Sequence, residues 1–133
     1  MSLQFAVKSL FAVLFFTYAS QAAVAFEQKK FDAAAFQAAQ GAGKPILVHI
    51  TAPWCPTCKA QHKALESLSK KPDLAAIEVF DVDFDSEKAL LKSFKATSQS
   101  TLIAFSGATE TGRLAGETKA DNIEALLKTT MKK

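Results

Sequence analysis

A strongly apolar strand that runs straight into a helix is the feature that most limits the possible folds of this chain. The stretch PILVHIT, residues 45–51, is short and rich in branched side chains, which predicts a buried strand. A helix is then expected to begin at Cys55 and Cys58 and to continue through KAQHKALESLSK, with Pro72 beyond its end. Both cysteines of the chain therefore lie where a buried strand passes into a helix.

Strands and helices are expected to alternate along the rest of the chain. The expected strands are 26–28, 45–51, IEVFDVDF, TLIAF and GRLAG, and the expected helices are 33–40, the cysteine helix, EKALLKSF and KADNIEALLKTTM. Asp32, Ser86 and Thr118 are the predicted N-caps, and SGATET is the predicted hairpin loop. The order (β)αβαβαββα predicts an α/β fold with a mixed central sheet flanked by helices.

The first 25 residues have the layout of a secretory signal peptide. Lys8 precedes the apolar run LFAVLFFTYA, and the small residues Ala23 and Ala25 predict cleavage after Ala25. The apolar run is shorter than the roughly 20 residues of a membrane span, but an uncleaved anchor and a buried helix of the domain are alternatives. We therefore expect a folded domain over residues 26–133 in a periplasmic or otherwise exported location, where disulfide chemistry is possible.

The charge of the chain argues against a nucleic-acid partner. The formal net charge at pH 7 is only +3, and the lysines are scattered rather than clustered. No motif implies an organic cofactor, and we expect the protein to be a monomer.

Three kinds of chemistry fit the Cys55–Cys58 pair. A structural disulfide across two intervening residues closes a small loop and stabilises the fold by only about 2 kcal/mol. A metal site would add His62, because the C-x2-C-x3-H spacing puts three ligands for zinc or copper on one side of a helix. Redox chemistry fits best, since a helix N-terminus stabilises a Cys55 thiolate and Cys58 lies one turn along. Cys55 is the predicted nucleophile and Cys58 the resolving thiol.

The segment GKPILVHITAPWCPTCKAQ resembles the active-site segment of the thioredoxin superfamily, and the likeness runs from Phe26 to Met131. The resemblance implies the thioredoxin fold and a thiol:disulfide oxidoreductase that acts on protein disulfides. The dipeptide Pro56-Thr57 resembles that of periplasmic thioredoxin-like reductases of cytochrome c maturation. The residues around this dipeptide, GKP at the start of the strand and WC and CK at the cysteines, also resemble the C-terminal thioredoxin-like domain of transmembrane thiol reductases. Reduction outside the cytoplasm is thus favoured, and a membrane thiol reductant is the expected donor.

Two charged positions depart from the thioredoxin pattern. His49 stands where the family commonly has a buried aspartate, and Asp81 stands where it has the lysine that pairs with that aspartate. We expect the pair to be kept with its chemistry reversed, so that His49 accepts the proton of Cys58 and Asp81 orients the ring. The alternative is that His49 is a hydrogen-bonded core residue and Asp81 an ordinary acid at a strand end.

The third departure is Ser100, which stands where the family has a cis-proline facing the cysteines. A cis bond before a residue other than proline costs about 3–4 kcal/mol, so we expect a trans Gln99–Ser100 bond and an altered loop. The Ser100 hydroxyl could bond a thiolate, or its small size could open the thiols to a metal. The alternative is that Ser100 has no special role and stands at a position that tolerates substitution.

The resemblance also implies a substrate-binding surface around the cysteines. Its expected members are Trp54, Pro56, Thr57, Gln99, Ser100 and Gly116. In the family, the residue at the position of Gln99 offers its backbone to an extended substrate, and the glycine matching Gly116 lets that backbone approach. A metal-handling protein with the same CxxC, and a binding module without catalysis, are the alternatives to an oxidoreductase.

Overall fold

The computed structural model describes residues 25–132, which form five strands and four α-helices. The strands are β1 (Gln28–Lys30), β2 (Pro45–Thr51), β3 (Glu78–Asp83), β4 (Thr101–Ser106) and β5 (Thr109–Ala115). The helices are α1 (Ala33–Gly41), α2 (Pro56–Ser69), α3 (Lys88–Ser93) and α4 (Ala120–Thr129), and a 3-10 turn covers Pro72–Leu74. The predicted order of elements is confirmed, although β1 begins later than predicted.

The predicted signal peptide lies outside the described residues, apart from Ala25 at its end. Its cleavage site, and the domain boundaries that depend on it, therefore stay predictions. Between residues 25 and 132, no helix is long and apolar enough to cross a membrane.

The central sheet is mixed and has the strand order β1-β3-β2-β4-β5. Strand β3 runs parallel to β1 and β2, whereas β4 runs antiparallel to β2 and β5. Helices α1 and α2 make the crossovers that parallel strands need, and a tight turn suffices for the final hairpin. Ile50, near the end of β2, pairs with Thr101 at the start of β4. The loop before β4 is thereby brought to the sheet edge at which the cysteine helix begins.

Side chains of β2 alternate between two hydrophobic cores, as the period of a strand requires. Ile46, Val48 and Ile50 pack on the face that is covered by α1 and α3. Leu47 packs on the opposite face, with the leucines of α2 and α4. His49 has the same parity as Leu47, so its ring is directed towards α2, although the residues on either side of it, Val48 and Ile50, are apolar.

Helix entry is confirmed at α1 but differs from the prediction at α3. Asp32 caps α1, because its side chain accepts the N–H of Ala35 at 2.7 Å. The predicted Ser86 cap of α3 is wrong. Ser86 donates both its N–H and its hydroxyl to the Asp83 carboxylate at 2.8 Å, so the turn is made by the acid and the helix starts after Glu87.

Two boundaries further along the chain also differ. The predicted Thr118 cap of α4 is wrong, because the Glu117 carboxylate accepts the N–H groups of Thr118 and Lys119 instead. The hairpin loop is shorter than SGATET, since only Gly107 and Ala108 separate β4 from β5. Gly107 has φ +58°, a left-handed conformation that favours glycine and permits the tight turn.

Candidate active site

The two cysteines form a disulfide at the head of α2, where the sequence places them. Cys55 is the N-cap of the helix, and its Sγ accepts the backbone N–H of Cys58 at 3.1 Å. Pro56 fills the first helical position, where its missing N–H costs no intrahelical hydrogen bond. Cys55 is 2% exposed and Cys58 is fully buried. The backbone N–H and the positive end of the helix dipole both favour a thiolate at Cys55.

Ser100 contacts both sulfurs from the loop before β4. Its Oγ lies 3.1 Å from Cys55 Sγ and 3.3 Å from Cys58 Sγ, and it is the donor because a disulfide carries no proton. Ser100 adopts φ +59°, and its carbonyl accepts the N–H of Gly116 at 2.8 Å. The described residues contain no cis peptide bond, which confirms the expected trans Gln99–Ser100 bond. A hydrogen-bond donor thus faces the sulfurs where the family pattern would place a proline, which has no donor.

Gln61 belongs to the site, although nothing in the sequence analysis singled it out. Its Nε2 donates to the carbonyls of Ser100 at 3.0 Å and Glu117 at 2.9 Å, and its Oε1 lies 2.9 Å from Nε2 of His49. The side chain is fully buried. Cys58, Gln61 and Leu65 share the buried stripe of α2. The sequence signal that could have identified Gln61 is a glutamine among the apolar residues of this stripe.

His49 and Asp81 face each other, as predicted, because they are register partners in the parallel β2–β3 pair. His49 Nδ1 lies 3.3 Å from Asp81 Oδ1, within ion-pair distance. The geometry is not that of an aligned hydrogen bond, and neither atom has a hydrogen-bond partner elsewhere in the described chain. His49 is fully buried. Between residues 25 and 132, no hydrogen bond joins either residue to a sulfur, so their role in proton transfer stays a prediction.

His62 lies with His49 and not with the cysteines. The two imidazole rings are 4.6 Å apart between centroids. His62 Nδ1 donates to Gln28 Oε1 at 2.5 Å, and the Thr51 hydroxyl donates to Nε2 at 3.1 Å. Burial lowers the pKa of His62 below its ordinary value, the charge of His49 lowers it further, and only the nearby Asp81 opposes this. His62 is therefore held as a neutral ring.

The C-x2-C-x3-H metal set, an alternative that the spacing allowed, is not assembled in this structure. Within residues 25–132, the group whose atoms could hold a metal consists of His49, His62 and Asp81, with those atoms within 4.8 Å of one another. Both nitrogens of His62 already take part in hydrogen bonds, so the ring has no free lone pair for a metal. The two cysteines are bonded to each other instead.

The surface around the disulfide contains the residues that the sequence assigned to substrate binding. Trp54 is 57% exposed, and its Nε1 donates to Asp85 at 2.8 Å, which holds the indole beside the cysteines. Pro56 is exposed, and Thr57 and Gln99 are half-buried. Gly116 is exposed with φ +70°, a conformation that disfavours any side chain. The structure places these residues near the site, and their contact with substrate stays a prediction.

Known proteins identify the class to which this fold and site belong. Residues 23–129 match the thioredoxin family. The chain therefore belongs to the thioredoxin family, and with its Cys55–Cys58 disulfide at the head of α2 it is a thiol:disulfide oxidoreductase of that family.

Particular relatives share different parts of the chain. Thioredoxin of Mycolicibacterium smegmatis is 34% identical over 77 residues, which cover 57% of this chain and 69% of that protein. The thiol:disulfide interchange protein DsbE of Pasteurella multocida is 34% identical over 64 residues, which cover 48% of this chain and 31% of that protein. The solved structure of Trxlp from Edwardsiella tarda is 39% identical, with TM-score 0.73, covering 76% of this chain and 98% of that one. The match therefore takes in less than a third of DsbE but nearly all of Trxlp.

The replacement Ser100→Ala removes a donor that contacts both sulfurs. The variant's reduced form loses more stabilisation than its oxidised form, because a hydrogen bond to a thiolate is stronger than one to a neutral sulfur. We expect the equilibrium constant for reduction by dithiothreitol to fall about tenfold, which makes the reduction potential about 30 mV more negative. Ser98→Ala is the matched control, since that hydroxyl faces Thr101 in the same loop. An unchanged constant in the Ser100 variant would contradict a role for this hydroxyl in stabilising the reduced form.

His62 should make the stability of the protein depend on pH. Its pKa is lowered in the fold, so the unfolded chain binds the proton more readily between the folded value and the ordinary value of 6.5. The stability that comes from neutral His62 is fully present above 6.5 and is lost as the pH falls towards the folded value. In urea unfolding, His62→Gln should therefore lose less stability than wild type between about pH 7.5 and pH 5. Equal losses in the two proteins would exclude His62 as the titrating group.

Proposed function

We propose that this protein reduces disulfide bonds of exported proteins outside the cytoplasm through its Cys55–Cys58 dithiol. The observation that carries the proposal is the disulfide at the head of α2, with a Ser100 hydroxyl on both sulfurs. The direction of electron flow is supported by the Pro56-Thr57 dipeptide, which resembles that of periplasmic reductases. The location is supported by the signal-peptide layout of the first 25 residues.

The reaction consists of two thiol–disulfide exchanges. The Cys55 thiolate attacks a sulfur of the substrate disulfide, forms a mixed disulfide and releases the other substrate sulfur as a thiolate. Cys58 then loses its proton, attacks the Cys55 sulfur and releases the second substrate thiolate. Two electrons have then passed from the dithiol to the substrate. Cys55 is proposed as the attacking sulfur because it is the N-cap of α2 and accepts the Cys58 N–H, whereas the Ser100 hydroxyl contacts both sulfurs.

His49 is proposed to exchange the proton of Cys58. A neutral imidazole takes up a proton at physiological pH, which suits a base that acts when Cys58 attacks the mixed disulfide. Asp81, 3.3 Å from Nδ1, would orient the ring and stabilise its positive form. This assignment is supported by the burial of His49, because an ion pair that is shielded from water interacts more strongly than an exposed one.

Substrate is proposed to bind in an extended conformation along the loop before β4. Within residues 25–132, the backbone of Gln99 makes no hydrogen bond inside the fold, so its N–H and carbonyl are available to a substrate strand. The N–H of Gly116 is already donated to Ser100, which leaves Gly116 to provide space rather than a donor. Trp54 adds an exposed apolar surface next to Cys55.

A thiol donor must regenerate the dithiol after each reaction. Outside the cytoplasm this requires reducing equivalents that cross the membrane, so we propose a membrane thiol reductant as the second partner. It would attack the same Cys55–Cys58 disulfide.

The replacement Cys58→Ser tests the proposed reaction. The variant can form the mixed disulfide but cannot resolve it, so covalent adducts with exported proteins should accumulate. Non-reducing electrophoresis and mass spectrometry detect such adducts, and Cys55→Ser is the control that should form none.

Two other outcomes would contradict the proposal. Near-stoichiometric zinc or copper in the wild-type protein, lost when either cysteine is replaced, would indicate a metal-handling protein. A Cys58→Ser variant that binds exported proteins without any covalent adduct would indicate a binding module.

A further inference from the structure

The side-chain amide of Gln61 can take only one orientation in the interior. Its Nε2 lies 3.0 Å from the carbonyl oxygen of Ser100 and 2.9 Å from that of Glu117. Both N–H bonds of the amide therefore have acceptors. The flipped amide would place Oε1 against two carbonyl oxygens with no proton between them. Oε1 must therefore be the atom that is directed at His49.

This orientation determines which nitrogen of His49 carries a hydrogen. Gln61 Oε1 lies 2.9 Å from His49 Nε2, and an amide oxygen can only accept, so Nε2 must donate. The other ring nitrogen, Nδ1, lies 3.3 Å from Asp81 Oδ1. Within the described residues, neither of these buried atoms has another hydrogen-bond partner.

A ring with its only hydrogen on Nε2 would leave bare Nδ1 facing a bare carboxylate oxygen. Two buried acceptors in that position repel each other and are also shielded from water, which is costly. A single proton on either atom removes the repulsion between them. We infer that the His49–Asp81 pair carries one proton, on Nδ1 or on Oδ1, while the Cys55–Cys58 disulfide is closed, and that Gln61 is the positioning residue that keeps it there.

The surroundings of the pair agree with this placement of the proton. The titratable groups near the pair are His62 of α2, Lys30 of β1, and Asp83 and Glu87, which line the same cavity as Asp81. The negative charges of the two carboxylates favour a proton on the pair. Lys30 is exposed, so water screens its charge. His62 has an acceptor for Nδ1 and a donor for Nε2, which is the pattern of a neutral ring. A positive charge on His49 also lowers the pKa of His62. The proton therefore belongs to His49 and Asp81.

The protonated His49–Asp81 pair acts as a general acid when the disulfide is opened. This role rests on the proposed function. A donor thiolate attacks Cys55 and forms a new sulfur–sulfur bond, while the Cys55–Cys58 bond breaks and Cys58 leaves with the electron pair. The pair then transfers its proton to Cys58, which becomes a neutral thiol. When Cys58 later attacks a mixed disulfide, the same proton returns to the pair.

Nitrogen-15 NMR of the oxidised protein tests where the proton is. The chain contains only two histidines, so His62→Gln leaves the His49 ring as the single imidazole signal. We expect protons on both His49 nitrogens, or a proton on Nε2 together with a protonated Asp81 carboxyl. A bare Nε2, or a proton on Nε2 alone beside an ionised Asp81, would overturn the inference. These spectra depend on neither substrate nor direction of electron flow, so their failure is distinct from failure of the trapping experiment.

Gln61→Met tests the positioning role, because it removes the acceptor for Nε2 and frees the ring to place its single hydrogen on Nδ1. We expect one N–H signal from His49 and opening of the disulfide by dithiothreitol about 100-fold slower at neutral pH. Stopped-flow fluorescence of Trp54, the only tryptophan, follows that reaction.

Gln28→Met is the matched control, since that amide bonds His62 and not His49. It should alter the His62 signal and leave the opening rate unchanged. A Gln61 variant that keeps both N–H signals and the wild-type rate would overturn the assignment of Gln61.

Discussion

The side-chain amide of Gln61 joins three separate parts of the molecule in its interior. It accepts a hydrogen bond from His49 in β2 and donates to the carbonyls of Ser100, before β4, and Glu117, after β5. Leaving His49 or the Ser100 carbonyl, both buried, without its hydrogen bond would cost about 1–3 kcal/mol, and the partly buried Glu117 carbonyl adds a third anchor, so the three parts are held in one arrangement. That arrangement presents the Ser100 hydroxyl to both sulfurs. The polar environment of the dithiol thus depends on a residue of the helix that the cysteines begin.

The fold follows the thioredoxin pattern, while three residues near the dithiol depart from it. The family pattern implies an aspartate paired with a lysine, whereas His49 pairs with Asp81 here. An imidazole can gain and lose a proton near neutral pH, which a lysine in its usual state does not do. Ser100 brings a donor where the pattern implies proline. The architecture is therefore kept, and the polar side chains near the sulfurs differ from the family pattern.

The predictions from sequence succeeded where a pattern extends over a whole element. The apolar run of β2 and the start of α2 at the cysteines were recognisable because a buried strand and the helix that follows it depend on local residue types. The Ser86 cap was wrong because the N–H and hydroxyl of Ser86 both donate to the carboxylate of Asp83, a charged acceptor that forms stronger hydrogen bonds than a neutral one. Gln61 was missed because its three partners are 12, 39 and 56 positions away, and no local pattern reports such contacts.

The reduction potential of the Cys55–Cys58 pair shows whether the pair is a reductant. Fluorescence of Trp54 in a series of dithiothreitol buffers reports the redox state with little background, because the chain has no other tryptophan. We expect the Ser100 hydroxyl to stabilise the reduced form, which predicts a value somewhat less negative than that of a typical thioredoxin, between about −270 and −230 mV. A value near about −120 mV, typical of a strong oxidant, would contradict the account.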